Sequence, residues 1–584
     1  MMLYITQAEG CNLDYTIKIG GEAGQGIQTI GDSLSKVFSR CGYNVFTHQD
    51  YMSRVRGGHN FYQIRVSNKE ISASRSPIDI LVAFDKDSIA LHKGELSGIG
   101  LVVYDSAALK EKHEGAEFFD VPLLDLAMKS GGDRIMVNTV ATGTVLGMLG
   151  LSTEIFLDIL QDTFGKKGEA VSTANVKAAQ AGHEFAGREC LRCEFSASAI
   201  GAKKMVIGIN EAVGLGALAA GCKFYSAYPM TPSTGIMLYI ASKAKEYGVI
   251  VEQAEDEIAA INMALGASFA GVRAMTGSSG GGFALMVEGL SLAAMTETPI
   301  VIALAQRPGP ATGLPTRTEQ GDLLFALHSG HGEFPRVIFA PGTPEQGFYL
   351  TNKAFDLSQK YQIPVFILTD QYLSDAQWTY DELNLNRLTY THWRLRDSEL
   401  KGLNEYKRHF LTDYGISPFA VPGDSQHVVV TDSDEHDENG HLIEDAPTRI
   451  QMVDKRLFRK MPLIRSEIAP PSFYGESRPD IILTGWGSTY GIMKDAVDNL
   501  SKSTKIAMLH FSEIFPFPSN REFDYLEILE KAKMTVCIEQ NASGQFARLM
   551  KTETGFEFTG KINRYDGRPF LVEELLGEIS AYIG

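Results

Sequence analysis

Apolar runs along this chain are short, and many hand over through a turn to a stretch with helical spacing. Residues 16–20, 64–66, 78–83 and 100–104 predict strands in the first third. Residues 205–209, 224–228, 249–252, 274–276, 299–305 and 364–369 predict a second set, and 480–484, 505–510 and 534–539 a third. Strands that alternate with helices in this way predict parallel sheets and an α/β fold class. Residues 258–270 are small and apolar on all sides, which predicts a buried helix. Residues 186–203 are mixed and rich in small side chains, as a linker would be. Residues 378–408 are polar, with helical spacing and many basic side chains, and predict a solvated excursion.

A chain of 584 residues calls for more than one core. Its 57 glycines predict many tight turns. A formal net charge of -17 argues against nonspecific nucleic-acid binding, which needs a basic face. No apolar run reaches membrane-span length, and the N-terminus lacks a basic region followed by an apolar core. A cytoplasmic protein is expected. The cysteines at 11, 41, 190, 193, 222 and 537 are too sparse for a disulfide framework. Cys190 and Cys193 form a CxxC with no second pair at zinc spacing, so reduced thiols are expected there.

Candidate chemistry lies at the turns. Residues 20–27, Gly-Gly-Glu-Ala-Gly-Gln-Gly-Ile, join a strand to a helix. Glycines let a phosphate approach the backbone, and a helix N-terminus offers free N–H groups. A tight turn explains the same residues equally well. Arg54 and Arg56 stand beside Gly57 and Gly58, where guanidinium forks suit phosphate oxygens, or a basic turn faces solvent. Asn138 and Asn210 are expected as helix N-caps. In the middle third, Thr231 is bracketed by Pro229 and Pro232, which fix the backbone around it. A preset hydroxyl there suits a substrate carboxylate; a rigid turn is the plainer role. Glu255, Asp256 and Glu257 precede the buried helix, where they either cap it or aim one carboxylate into a cleft. Arg307 ends a buried strand, which suits a carboxylate clamp or a salt bridge. The acidic, histidine-containing run 432–441 matches neither EF-hand nor helical metal spacing. It is expected to be a solvated loop, and no metal ligands are expected on this chain.

Tyr-Pro-x-Thr-Pro from 228, Glu-x-Ala-Ala from 257, Thr-Gly-Ser-Ser-Gly-Gly-Gly from 276 and Gln-Arg-x-Gly-Pro-x-Thr-Gly-Leu-Pro-Thr from 306 follow one another. In this order they resemble the alpha subunit of 2-oxoacid:ferredoxin oxidoreductases, with Met230 where the family usually has isoleucine. The glycine loop and the Arg-Gly-Gly element resemble the family's gamma domain over most of residues 14–185. The last third resembles the C-terminal domain of transketolase-like enzymes. The resemblance implies three α/β domains: a gamma-type domain over 1–195, a doubly wound pyrimidine-type thiamine diphosphate domain with a loop excursion over 196–470, and a transketolase C-terminal-like domain over 471–584.

It also implies roles. Glu257 would hydrogen-bond the aminopyrimidine ring of thiamine diphosphate. Thr231 and Arg307 would bind the 2-oxoacid carboxylate, and Thr316 would line the pocket for the rest of the substrate. Gly24, Gly26, Arg54 and Arg56 would face the phosphates of coenzyme A. The family's His-Asp-Glu-x-Gly-His element, here from His436, would lie near the mouth of the site. The chain lacks a Gly-Asp-Gly…Asn motif and clustered cysteines. Mg2+, the diphosphate end and a [4Fe-4S] cluster are therefore expected on a beta subunit, in an (alpha-beta)2 assembly that reduces ferredoxin. The expected reaction converts a 2-oxoacid and coenzyme A to acyl-CoA and carbon dioxide. 2-Oxoglutarate is the favoured substrate, because fused gamma–alpha chains with Gly-Leu-Pro-Thr are common among such enzymes. Pyruvate or a broad 2-oxoacid range is the alternative. The rival class is a nonenzymatic coenzyme A- or nucleotide-binding protein on the same fold, against which Thr231, Glu257 and Arg307 all argue.

Overall fold

The computed structural model describes residues 13–53, 57–131 and 133–583. The chain forms two compact units. One takes the residues up to Ile207 together with Asp375–Leu383 and Leu571–Gly577. The other takes Gly208–Ser374, Asn384–Phe570 and Glu578–Gly584. Among the described residues, no helix is long and apolar enough to cross a membrane.

The first unit is built on a sheet of β1 (Asp14–Glu22), β2 (Asn44–Asp50), β3 (His59–Ser67), β4 (Ile78–Ala83), β5 (Leu96–Tyr104), β6 (Phe118–Asp120), β7 (Met205–Gly208) and β14 (Gln377–Tyr380). Their order is β6-β5-β4-β1-β3-β2-β14-β7. β1, β4, β5 and β6 are mutually parallel, while β3 runs antiparallel to both β1 and β2. The helix Ile27–Arg40 buries Ile27, Ile30, Leu34, Val37 and Phe38, the single face that a 3.6-residue period predicts.

Several expectations need correction here. Asn138 does not cap a helix; it lies inside the helix Val137–Met148, and its side-chain amide packs against Gly26. Residues 186–203 are not a free linker. The helix Glu169–Glu189 takes up the first of them. The rest are strapped to the core by Tyr43 Oη donating to Ser198 O (2.8 Å), Ala197 N to Leu149 O (2.9 Å) and Ile200 N to Cys41 O (2.8 Å). Cys190 and Cys193 are joined in a disulfide rather than left as thiols; the described free cysteines are Cys41, Cys222 and Cys537. The stretch after Trp378 is largely exposed, as expected, but it is not one helix; it holds only the short helical turns Leu385–Arg387 and Asp397–Lys401. Trp378 is buried in β14, edge-on to Phe46 at 4.7 Å, because its pairing partner β2 supplies the apolar surface.

The second unit holds two sheets. The larger contains β8 (Cys222–Ala227), β9 (Ile250–Gln253), β10 (Arg273–Ser278), β11 (Ile300–Gln306), β12 (Val337–Phe339), β13 (Pro364–Asp370) and β18 (Glu513–Phe515), ordered β18-β12-β13-β11-β10-β8-β9. All run parallel except β18. β11 and β13 are buried at every residue, as strands covered by helices on both faces must be. The smaller sheet is β15 (Ser472–Gly475), β16 (Ile481–Trp486), β17 (Ile506–Phe511), β19 (Met534–Glu539) and β20 (Gly560–Asn563), ordered β15-β17-β16-β19-β20. Glu539 serves as the corner post of this sheet. It accepts from Trp486 Nε1 (3.2 Å), Asn541 Nδ2 (2.9 Å), Phe546 N (2.8 Å) and Ala547 N (3.0 Å), and so satisfies the start of the helix Gln545–Thr554.

Asn210 is not a cap either. It lies within the helix Ile209–Ala219, with its amide donating to Pro232 O at 3.4 Å. The loop 432–441 is only partly solvated. His436 is fully buried against His409, with ring centroids 4.0 Å apart, and Glu435 pairs with Arg449 and Arg456. These partners lie beside Glu297, just ahead of β11, at the amino end of the sheet. The loop is therefore at the opposite end from the turns that follow the strands, not at the mouth they form.

Candidate active site

β8 is followed in sequence by β9, on its outer side, and the chain then crosses back so that β10 lies on the other flank of β8. Connections thus leave in opposite directions at β8, and the crevice outside the carboxyl ends of such strands is where open α/β sheets bind ligands. The turns after β8, β9, β10 and β11 carry Thr231, Glu257, Gly280 and Arg307.

The three acidic residues after β9 divide their work. Asp256 caps the helix Glu257–Phe269 by accepting Ala259 N at 2.8 Å. Glu255 is exposed. Glu257, the first helical residue, is only 4% exposed, and its Oε1 is buried with no hydrogen-bond partner. A buried unpaired carboxylate oxygen costs on the order of several kcal/mol. Room for it comes from the glycine cluster: a Cβ on Gly282 would collide with both Glu257 Oε1 and Ser278 Oγ. The cluster 277–282 is thus close packing around a carboxylate, and the helix Gly280–Met295 starts beside it.

Contacts run on from there. Ser278 Oγ donates to Met230 Sδ at 3.7 Å, and the next residue, Thr231, accepts from Arg307 Nη1 through its carbonyl at 2.8 Å. The site residues Glu257, Thr231 and Arg307 therefore share one continuous patch. Thr316 is half-buried farther along the loop that follows Arg307, where Thr318 N donates to Gly567 O at 3.1 Å. Burial lowers the Arg307 guanidinium from its usual value, opposed by the charge of Asp322.

Sequence reasoning missed other members of this patch. Tyr225 Oη, Ser279 Oγ and Asp322 Oδ2 are buried without partners. Tyr225 is hidden in an apolar strand, and Asp322 reads as an ordinary helix cap. Burial pushes the Asp322 carboxyl up to about 6, with Glu319 adding and Arg307 opposing. Several unsatisfied polar atoms around one cleft mark a place prepared for a polar ligand.

In the first unit, Gly24 and Gly26 have φ of 94° and 76°, the left-handed region that glycine enters without strain. Gly26 is the residue before the helix Ile27–Arg40, so the loop delivers that helix's N-terminus as expected. Arg54 and Arg56 lie outside the described residues.

Comparison with known proteins agrees with this geometry. Residues 215–455 match the family model for the thiamine diphosphate-binding domain of pyruvate flavodoxin/ferredoxin oxidoreductases, and residues 16–185 match that for pyruvate ferredoxin/flavodoxin oxidoreductase. Fold and site thus define a thiamine diphosphate-type oxidoreductase subunit. The 2-oxoacid:ferredoxin oxidoreductase subunit alpha of Sulfolobus sp. is 31% identical over 95% of this chain and 95% of its own. The 2-oxoglutarate oxidoreductase subunit KorA of Mycobacterium tuberculosis is 28% identical over 96% of this chain and 90% of its own. The structure of 2-oxoglutarate:ferredoxin oxidoreductase from Magnetococcus marinus, determined with 2-oxoglutarate, coenzyme A and succinyl-CoA bound, superposes with a TM-score of 0.90 at 30% identity, covering 98% of this chain and 100% of that one. The chain belongs to the alpha subunits of the 2-oxoacid:ferredoxin oxidoreductase family.

Proposed function

We propose that this subunit supplies the half of the active site that grips a 2-oxoacid carboxylate and engages the aminopyrimidine ring of thiamine diphosphate, and that the preferred substrate is 2-oxoglutarate. The observation that carries the reading is Glu257: a buried carboxylate with an open Oε1, on the same patch as the Arg307–Thr231 pair. An open oxygen in that setting fits a ring N–H or ring nitrogen. Thiamine diphosphate, engaged at its aminopyrimidine ring by Glu257, would supply a nucleophilic carbon and an electron sink for decarboxylation. Glu257 would hold a proton at its Oε1. Arg307 neutralises the substrate carboxylate, Thr231 orients it, and Thr316 lines the pocket for the remaining chain. Burial of Glu257 keeps water away from its carboxylate.

The same proposal has the beta subunit provide Mg2+, the diphosphate site and the [4Fe-4S] cluster that passes electrons to ferredoxin. It also has the segment 1–195 bind coenzyme A through Gly24, Gly26, Arg54 and Arg56. Residues 196–470 form the thiamine segment and 471–584 a structural one. The assembly is an (alpha-beta)2 complex in the cytoplasm. The names of the relatives, and the coenzyme A bound in the 2-oxoglutarate:ferredoxin oxidoreductase structure, support the substrate and coenzyme A assignments. Support for a partner comes from the helices around Glu257, where Ile258, Met263 and Leu285 are between 42% and 51% exposed. Apolar side chains beside a cleft fit a docked protein. Leu285→Glu is expected to weaken association with the beta subunit by at least about tenfold, read by analytical ultracentrifugation. Unchanged association would remove this face from the interface.

The test of function is to purify the chain with its beta subunit and assay ferredoxin reduction with 2-oxoglutarate, pyruvate and branched 2-oxoacids. The highest kcat/KM is expected with 2-oxoglutarate, and activity is expected to require coenzyme A. A pair that binds neither thiamine diphosphate nor an iron–sulfur cluster would sink the proposal.

A further inference from the structure

The disulfide between Cys190 and Cys193 spans only Leu191 and Arg192. A ring this short removes little freedom from the unfolded chain, so it stabilises the fold less than a long-range bridge would. The chain on either side is anchored without it. Cys190 N donates to Ala186 O (3.0 Å) at the end of the helix Glu169–Glu189. That helix is tied to the helix Val137–Met148 by Thr139 Oγ1 donating to Asn175 Oδ1 (2.8 Å). On the far side Phe195 is buried edge-on to Tyr15, with ring centroids 5.6 Å apart, and Ala197 N donates to Leu149 O. As a staple the bridge is redundant.

What the turn offers is access. Both cysteines are half-buried, Arg192 is exposed, and Leu191 is 94% exposed. An apolar side chain that far out adds nothing to the core, and it stands where a protein reaching the bridge would meet it. The other described cysteines offer no comparable chemistry. Cys41, Cys222 and Cys537 are buried free thiols, and burial pushes all three up, Cys222 to about 12. Almost none of any of them is thiolate near neutral pH. Among the described residues, two-electron thiol chemistry is therefore confined to the turn 190–193.

We propose that Cys190–Cys193 is a thiol–disulfide exchange site whose partner is a protein dithiol of the Cys-x-x-Cys type. A thiolate of the partner bonds one of the two sulfurs as the Cys190–Cys193 bond breaks, which leaves a mixed disulfide and one free thiolate. The partner's second thiolate then bonds its first sulfur and displaces the chain's remaining one. The partner ends as a disulfide and Cys190 and Cys193 end as thiols, two electrons and two protons having passed to this chain. The reverse steps return them. Cys190 caps the C-terminus of its helix, where the negative end of the dipole disfavours a thiolate. The pair thus lacks the stabilised thiolate of a strong oxidant and is the client of the exchange, not its catalyst. The anchors on both sides keep the unit folded in either state.

The test uses the holoenzyme with its beta subunit, handled without oxygen. The peptide that holds both cysteines is read by differential alkylation and mass spectrometry. The bridge is first set with oxidised glutathione; failure to form it in the folded enzyme overturns the proposal. Thioredoxin, kept reduced by its reductase, is the dithiol probe, and reduced glutathione is the monothiol. Thioredoxin is expected to reduce the pair in the folded enzyme at least about tenfold faster than glutathione at equal concentration. A bridge that resists thioredoxin until the enzyme is denatured overturns the proposal, and rates within about twofold of each other overturn the dithiol partner. The melting temperature of the reduced enzyme is expected within about 2 °C of the oxidised one, and a larger fall would make the bridge a structural staple and overturn the exchange role. Leu191→Ser is expected to slow the thioredoxin reaction at least about threefold and to leave the glutathione rate unchanged. An unchanged thioredoxin rate would overturn Leu191 as the contact.

Discussion

Glu257→Gln lowers turnover of the assembled enzyme by on the order of 10²–10⁴, while its melting temperature stays at the wild-type value. The side chain is nearly isosteric, so the space left by Gly282 still accommodates it. What changes is the group at the open position. A carboxylate can hold a ring proton; an amide cannot. Since the wild-type Oε1 has no protein partner to lose, folding is not expected to suffer. Steady-state ferredoxin reduction with a parallel thermal melt decides the matter. Turnover within about threefold of wild type would take Glu257 out of the mechanism; a large drop in melting temperature would recast it as a structural carboxylate.

Glu297→Gln is expected to cost about 3–5 kcal/mol of stability, because it strands buried cations. Glu297 is 1% exposed and accepts from Lys455 Nζ (2.5 Å), Lys460 Nζ and His409 Nδ1 (3.0 Å). Arg408 donates to its carbonyl at 2.6 Å. Burial alone would raise this carboxyl, but the two ammonium groups and the His409 hydrogen bond hold it well below the usual range. Burial also pushes Lys455 down to about 7. The acid branch follows in sign. A carboxyl depressed in the folded state adds stability above its unfolded value, about 4.3, and that stability is lost as pH falls through the folded value. Wild type should therefore show an acid-side decline in this window that Glu297→Gln lacks, on a lower baseline. Thermal melts against pH read both effects. A melting temperature within about 1 °C of wild type would mean the network contributes little. Glu297→Gln combined with Lys455→Met should recover part of the loss, since it removes one stranded charge.

Much of the patch around Glu257 was legible in the chain. Strand-then-turn spacing placed Thr231, Glu257 and Arg307 at carboxyl ends of strands, and β8 to β13 follow the apolar runs closely. The harder question was which of Glu255, Asp256 and Glu257 caps the helix. All three suit the positive end of a helix equally, and only the backbone trajectory makes Asp256 the cap and turns Glu257 inward. Asp322 was illegible for the converse reason: its sequence context fits a cap, and its side chain does something else.

The excursion after β13 shows the same limit at larger scale. Residues 381–405 are largely solvated, as their polar, basic composition suggests, yet Arg408 at the end of that run is buried with His409, His436, Lys455 and Lys460 around one carboxylate. Lys455 and Lys460 are five apart, which an ordinary α-helix would separate by about 140° around its axis. The π-helical turn Asp454–Arg459 brings them back to one side. No local pattern encodes that.

The chain by itself determined the alternation of strands and helices, the residue types at the turns after the strands, and the family those turns resemble, because each depends on neighbours a few positions apart. Tertiary structure alone decided which carboxylate is left open, which glycine makes room for it, and where the buried charges find partners. Those outcomes depend on desolvation by segments more than a hundred residues away, as Glu297 and Lys455 are.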